Sequence, residues 1–285
     1  VELNELIAVD ANTGHDSEKC PFCPVDKQKR DLTSVIGKQN NSKTLADSLE
    51  AADDRKAAHL YFDVEFEEYR RYSAEAHHLI CGNEVLKEEG EVEKYLLHTS
   101  RATSKGANGQ LEPNDVGYDV NSAKNGIWLP SVPDMFRKPR GGAEPSVWWG
   151  DQASWNRKNP SRPPRVSAEE WQKVDAAFIV MEAVKRQFHK GSHGDVGLPF
   201  QSYVVMAIDR LRDVKTYLDH YAAHCPMEDD GSPRTGPPFV PPYRLKAVLE
   251  LLSDALAEEL KGHPEEWNYF ISEYALQCAT WWKNR

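Results

Sequence analysis

The sequence predicts a mainly α-helical protein built around one small β-hairpin, an α+β arrangement. Three observations carry that expectation. Long segments repeat apolar residues at helical spacing, and a short apolar run, His77-His78-Leu79-Ile80-Cys81, reads as a buried strand. An Asn-Gly pair followed by Ile127-Trp128-Leu129-Pro130 reads as a turn and a second strand. With 285 residues the chain is long enough to bury a sizeable core.

The elements follow in order. Residues 1–43 are polar and turn-rich, an arm whose one feature is Cys20-Pro-Phe-Cys23. From Thr44 to Tyr72 the placement of Leu45, Leu49, Leu60, Phe62 and Phe66 predicts a helix. A second helix is expected over 83–98, after the His77–Cys81 strand, and residues 99–120 read as loop. Residues 134–166 are rich in proline and tryptophan and read as an irregular insertion. Ser167 and Glu170 then form a capping box, and Trp171, Val174, Phe178, Met181, Val184 and Phe188 follow on one helical face, the pattern of a core stripe. The period resumes over Pro199–His220. Residues 226–242 are a proline-rich linker, and two closing helices are expected at 243–261 and 264–282. The organisation is therefore an arm at 1–43, a domain at 44–225 interrupted by the 134–166 insertion, the linker, and a helical hairpin at 243–285.

Charge narrows the function classes. The net charge of −10 argues against indiscriminate binding to nucleic acid. Its distribution is uneven. Residues 44–98 hold 14 acids against 6 bases, whereas 137–165 hold 7 bases against 2 acids. Arg137, Lys138, Arg140, Arg157 and Lys158, interleaved with tryptophans, form a candidate phosphate-binding stretch. No apolar run has the length of a membrane span, so no membrane anchor is expected. The first residues lack the basic and apolar regions of an export signal, so signal-peptide export is not expected.

Five scattered cysteines suit metal binding better than a disulfide framework. Cys20 and Cys23 have the spacing that clamps tetrahedral zinc, and they are candidates for a structural Zn²⁺ site. Completing it calls on His15, His59, Cys81 or the His220–Cys225 segment.

Three pieces bear on catalysis: Ala76-His77-His78, the segment Asn121–Pro130, and His189-Lys190-Gly191-Ser192-His193. Together they supply two adjacent imidazoles, asparagines at a turn, and two further imidazoles four residues apart. Metal-dependent phosphodiester cleavage needs such parts, an ion to stabilise phosphate charge and a base to deprotonate water. Neighbouring strand residues point to opposite faces, so His77 and His78 suit different roles.

The order and spacing of these pieces resemble the AHH family of the HNH, or ββα-metal (His-Me finger), nuclease superfamily, over about residues 77–205. The resemblance implies a mainly α fold with a small ββα-metal hairpin core and a metal-dependent endonuclease, a DNase. It implies His77 as a metal ligand, His78 as general base, and Asn125, or else Asn121, as the residue bracing the hairpin. His189 and His193 become the remaining metal ligands, and the cofactor one divalent ion, Mg²⁺ or Zn²⁺. The chain departs from the compact pattern in the long interval between Pro130 and His189 and in Gly194–Pro199 after the last histidine. Family members commonly form the toxic ends of bacterial polymorphic effectors. The resemblance thus implies an antibacterial toxin acting on DNA in the recipient cytoplasm, delivered by a type VI-like route without a signal peptide. Its partners would be a cognate immunity protein and a secretion-system component or adaptor. An RNase of the same fold, or a noncatalytic zinc-dependent nucleic-acid-binding or adaptor module, is the alternative.

Overall fold

The computed structural model describes residues 7, 15–23, 40–52, 60–63, 68–71, 74–86, 92, 95–96, 117–131, 181, 184–189, 202–226, 242 and 244–283. Within them the chain mixes helices with two small two-stranded sheets, an α+β arrangement. Helix α1, Ser42–Ala51, starts at Asn41, whose Oδ1 accepts the N–H groups of Lys43 and Thr44 at 2.9 and 3.1 Å. A side-chain acceptor at this position satisfies donors that the first helical turn leaves over.

The helix predicted from Thr44 to Tyr72 does not run through. Strands β1, Leu60–Asp63, and β2, Glu68–Arg71, pair antiparallel with Leu60 opposite Arg71 and Asp63 opposite Glu68. Leu60, Phe62, Val64 and Phe66 satisfy a period of two better than one of 3.6. Aromatic side chains at 61, 62 and 69 favour the pleated state further.

Strands β3, Ala74–His78, and β4, Gly126–Pro130, form the second sheet. β3 lies earlier than the predicted run, and Leu79 and Ile80 sit in a buried bend after it. The Asn-Gly pair also departs from expectation. Ala123–Asn125 make a 3-10 turn, and Gly126 is extended at φ −132, ψ 153 as the first residue of β4. A two-residue type I′ hairpin turn needs a positive φ there, so this is not one. In the 83–98 region, Gly82–Leu86 form a π-helical turn, and Val92, Tyr95 and Leu96 are helical and buried.

Helix α2, Tyr203–His224, and helix α3, Leu245–Glu259, lie close to their predicted spans. Helix α4, Glu273–Lys283, starts later than predicted, because Phe270 pairs with Ser202 and Ser272 caps the helix through Ala275 N–H at 3.1 Å. The stripe predicted through Phe188 also ends early. Val184 is helical, Lys185 has a left-handed φ of 48, and Phe188, though fully buried, is not helical. No helix among the described residues is long and apolar enough to cross a membrane. The 167–170 capping box, Trp171, Val174, Phe178, the basic stretch 137–165 and the linker core 227–241 lie outside the described residues.

The chain divides into two compact units assembled from alternating segments. The first comprises Val1–Leu45, His78–Gly126 and Ala207–Leu256, and the second Ala46–His77, Ile127–Met206 and Ala257–Arg285. In the first unit, Ala207, Leu211, Val214, Leu218 and Tyr221 form a buried stripe along α2, and Cys225 continues it one step past the helix end. On α3 the buried stripe is Leu245, Val248, Leu249, Leu252, Ser253 and Leu256, with Ser253 its one polar member.

In the second unit the segment 185–189 is clamped along its length. The buried Gln187 side chain donates to the carbonyls of Glu259 and Tyr269 at 3.2 and 2.7 Å and accepts Ile271 N–H at 3.0 Å. Arg186 donates to Trp128 O at 2.7 Å, and His189 N–H to Pro130 O at 2.7 Å. A segment with its polar groups satisfied in this way holds His189 in one place.

Candidate functional site

Two groups of chemically capable side chains emerge from the motif histidines, one in each unit. In the second unit His77, at 1% exposure, and His189, at 6%, bring their rings to a centroid separation of 5.1 Å. The edge of Tyr203 packs on His77 at 5.3 Å. His189 Nδ1 donates to Glu75 Oε2 at 2.8 Å, across 114 positions of sequence. A carboxylate on one ring nitrogen fixes the tautomer and leaves Nε2 as the nitrogen with the lone pair, the usual way a metal-binding imidazole is oriented. Glu75 stands two residues before His77 on β3, a position the sequence did not single out. His193, predicted as a further ligand, lies outside the described residues.

In the first unit His78 is also buried, and its Nε2 lies 3.1 Å from Asn121 Oδ1. That oxygen also accepts the backbone N–H of Asn41 at 2.8 Å. The second donor identifies it as the amide oxygen, so His78 Nε2 carries a hydrogen and donates to it. Asn121 is itself fixed by a hydrogen bond from its own N–H to Asp119 Oδ1 at 2.8 Å. The residue that caps α1 thus also orients the partner of His78.

Asn125 has a different task. Its Nδ2 donates to Ile80 O and Val120 O at 3.0 and 2.8 Å, while its Oδ1 accepts Ile80 N–H at 2.8 Å and the Ser253 hydroxyl at 3.0 Å. With all four of its hydrogen-bonding positions used and 1% exposure, it locks the bend after His78 to the turn before β4. The two asparagines that the sequence left as alternatives for one task divide it: Asn125 braces backbone, and Asn121 meets the imidazole.

The first unit holds a further cluster. The ligand atoms of His15, Cys20, Cys23 and Cys225 all lie within 4.8 Å of one another, a group that can hold a metal ion such as zinc. Cys20 and Cys23 join the two completing residues from among those the sequence offered. Cys81 instead neighbours Asn40, His220 and His224 stack on one another, and His59 lies outside the described residues. Burial pushes the Cys23 thiol up to about 11 and raises that of Cys20 further. Burial lowers the basicity of His15, against the raising field of Asp16. Among the described residues this is where three or more such ligands gather, whereas His77 and His189 form a pair.

Comparison of the chain with protein-family models, curated proteins and solved structures gives no match.

Proposed function

We propose that this chain is a metal-dependent endonuclease that hydrolyses phosphodiester bonds of DNA, acting as an antibacterial effector held in check by an immunity protein. The supporting observation is the buried pair His77 and His189, with Glu75 bonded to His189 Nδ1. Two buried imidazoles, one already oriented by a carboxylate, suit one divalent ion that has further positions for substrate and water. Such an ion, Mg²⁺ or Zn²⁺, supplies charge stabilisation at the scissile phosphate and leaving oxygen.

The chain's own residues supply the proton chemistry. His78, its ring oriented through Nε2 by Asn121, takes the proton of the attacking water. Asn125 keeps the backbone that carries His78 from shifting when the imidazole changes charge. The toxin role, the secretion-system component or adaptor that would deliver the protein, the recipient-cell cytoplasm as its place of action, and DNA over RNA as its substrate rest on the sequence resemblance to the AHH family. Incubating the purified chain with supercoiled plasmid and with a structured RNA, in Mg²⁺ and after chelation, tests the reading. Plasmid nicking that chelator abolishes is the expected result. Cleavage of RNA alone would make it a ribonuclease, and no cleavage of either would leave a binding module.

A further inference from the structure

We infer that His15, Cys20, Cys23 and Cys225 form a closed four-ligand structural zinc site. The site is distinct from the imidazole pair and fastens the 15–23 segment to the end of α2. Tetrahedral zinc, with Zn–S near 2.3 Å and Zn–N near 2.0–2.1 Å, requires ligand atoms separated by about 3.8 Å for two sulfurs and about 3.5 Å for nitrogen and sulfur. Cys23 Sγ lies 3.9 Å from Cys225 Sγ and 3.3 Å from His15 Nε2. No atom of the four is more than 4.8 Å from another, so one centre serves all.

The alternatives fit less well. A disulfide needs sulfurs at about 2.05 Å, and none of the five cysteines is in one. Plain apolar packing accommodates buried thiols, but it does not account for an imidazole nitrogen brought against a sulfur in the same cluster.

The surroundings explain what the ion would fasten. Cys225 N–H still donates to Tyr221 O at 2.8 Å, so Cys225 is held by the last turn of α2. The Tyr217 hydroxyl donates to Lys19 O, and the Arg244 guanidinium donates to Glu18 O. The ligands therefore join sequence positions 202 residues apart, and a cross-link closing so long a loop removes much conformational freedom from the unfolded chain. Binding is balanced by release of three thiol protons, leaving three thiolates and neutral His15 on Zn²⁺ with a net charge of −1. Arg244, whose positive charge acts on Cys23, offsets that charge.

Cobalt substitution tests the assignment on the full chain. One Co²⁺ per chain should give thiolate-to-cobalt charge-transfer absorption together with the strong visible bands of tetrahedral geometry. Cys225→Ser and Cys20→Ser should each remove or sharply weaken both, while a His77→Ala, His189→Ala double variant and Cys81→Ser should leave them intact. X-ray absorption of the wild-type chain carrying a single equivalent of zinc, which the four-ligand site takes ahead of the imidazole pair, does not depend on any variant folding and should give three sulfurs and one nitrogen. Loss of the bands in the histidine double variant, retention in Cys225→Ser, or a zinc shell of nitrogen and oxygen would each overturn the proposal. Failure of Cys225→Ser to fold, with the S₃N shell present in the wild type, is the outcome expected of a structural ion.

Discussion

The sulfur-rich cluster of the first unit and the imidazole pair of the second show two ways of arranging metal-capable side chains. His15, Cys20, Cys23 and Cys225 surround one point with four ligands, the arrangement of an ion that is enclosed. His77 and His189 converge from two segments, and among the described residues they meet as a pair with Glu75 on His189 Nδ1. A closed shell suits stability, whereas chemistry needs room for a phosphate and a water. Sulfur ligands drawn from segments 202 residues apart suit a fastening, whereas an imidazole with a carboxylate on its far nitrogen suits an ion whose ligand must keep one orientation.

The strongest way to break this comparison is to delete the pair. His77→Ala together with His189→Ala should abolish binding of the catalytic ion, as seen by calorimetry on chelator-stripped protein, while the cobalt signature of the cysteine cluster persists. Divalent binding unchanged in the double variant would show that the pair is core packing.

The brace comes next. Asn125→Ala leaves Ile80 N–H, two carbonyls and Ser253 without their partner in a buried place, a loss on the order of 3 kcal/mol. Urea unfolding measures it. A loss below about 1 kcal/mol would mean that the bend after His78 does not depend on this amide.

The orienting carboxylate should matter less than the ligands themselves. Glu75→Ala should weaken divalent binding about 10–100-fold without removing it. A complete loss would make Glu75 a ligand, and no change would mean that its bond to His189 is incidental.

The mildest effect is a pH response that separates the metal-free and metal-loaded cluster. Without metal, burial holds the Cys23 thiol at about 11 against an ordinary 9.0. The folded form is then the weaker acid, so its contribution to stability is full below 9.0 and declines as pH rises toward 11. Loaded protein already holds thiolates and should lack this decline. Thermal melts of both forms from pH 8 to about 11 compare them, and identical profiles would contradict a thiolate-bound ion.

These sites were legible in the sequence to different degrees. The spacing of Cys20 and Cys23 was visible, because two ligands on one tight turn leave a local signature. Cys225 could be nominated only by residue type, since contact across 202 positions has none. The histidines were visible as motifs. Glu75, whose bond to His189 is a tertiary fact, was not. Helices α2 and α3 were legible because their stripes repeat over several turns, as Leu211, Val214 and Leu218 do. The region 60–71 was not, because strands of four residues are too short for their period of two to outweigh the helical spacing of Leu45 and Leu49 before them. The Asn-Gly pair misled for a related reason: Asn125 is there for its buried amide, and Gly126 adopts an ordinary extended conformation.

One comparison separates a His78 that acts on water from a His77 that binds the ion. Plasmid cleavage by His78→Ala should be measured beside the wild type, with divalent content matched by calorimetry. Cleavage by the variant should be lower by about 10²–10⁴-fold with ion binding preserved. Near-normal cleavage by the folded variant would contradict it.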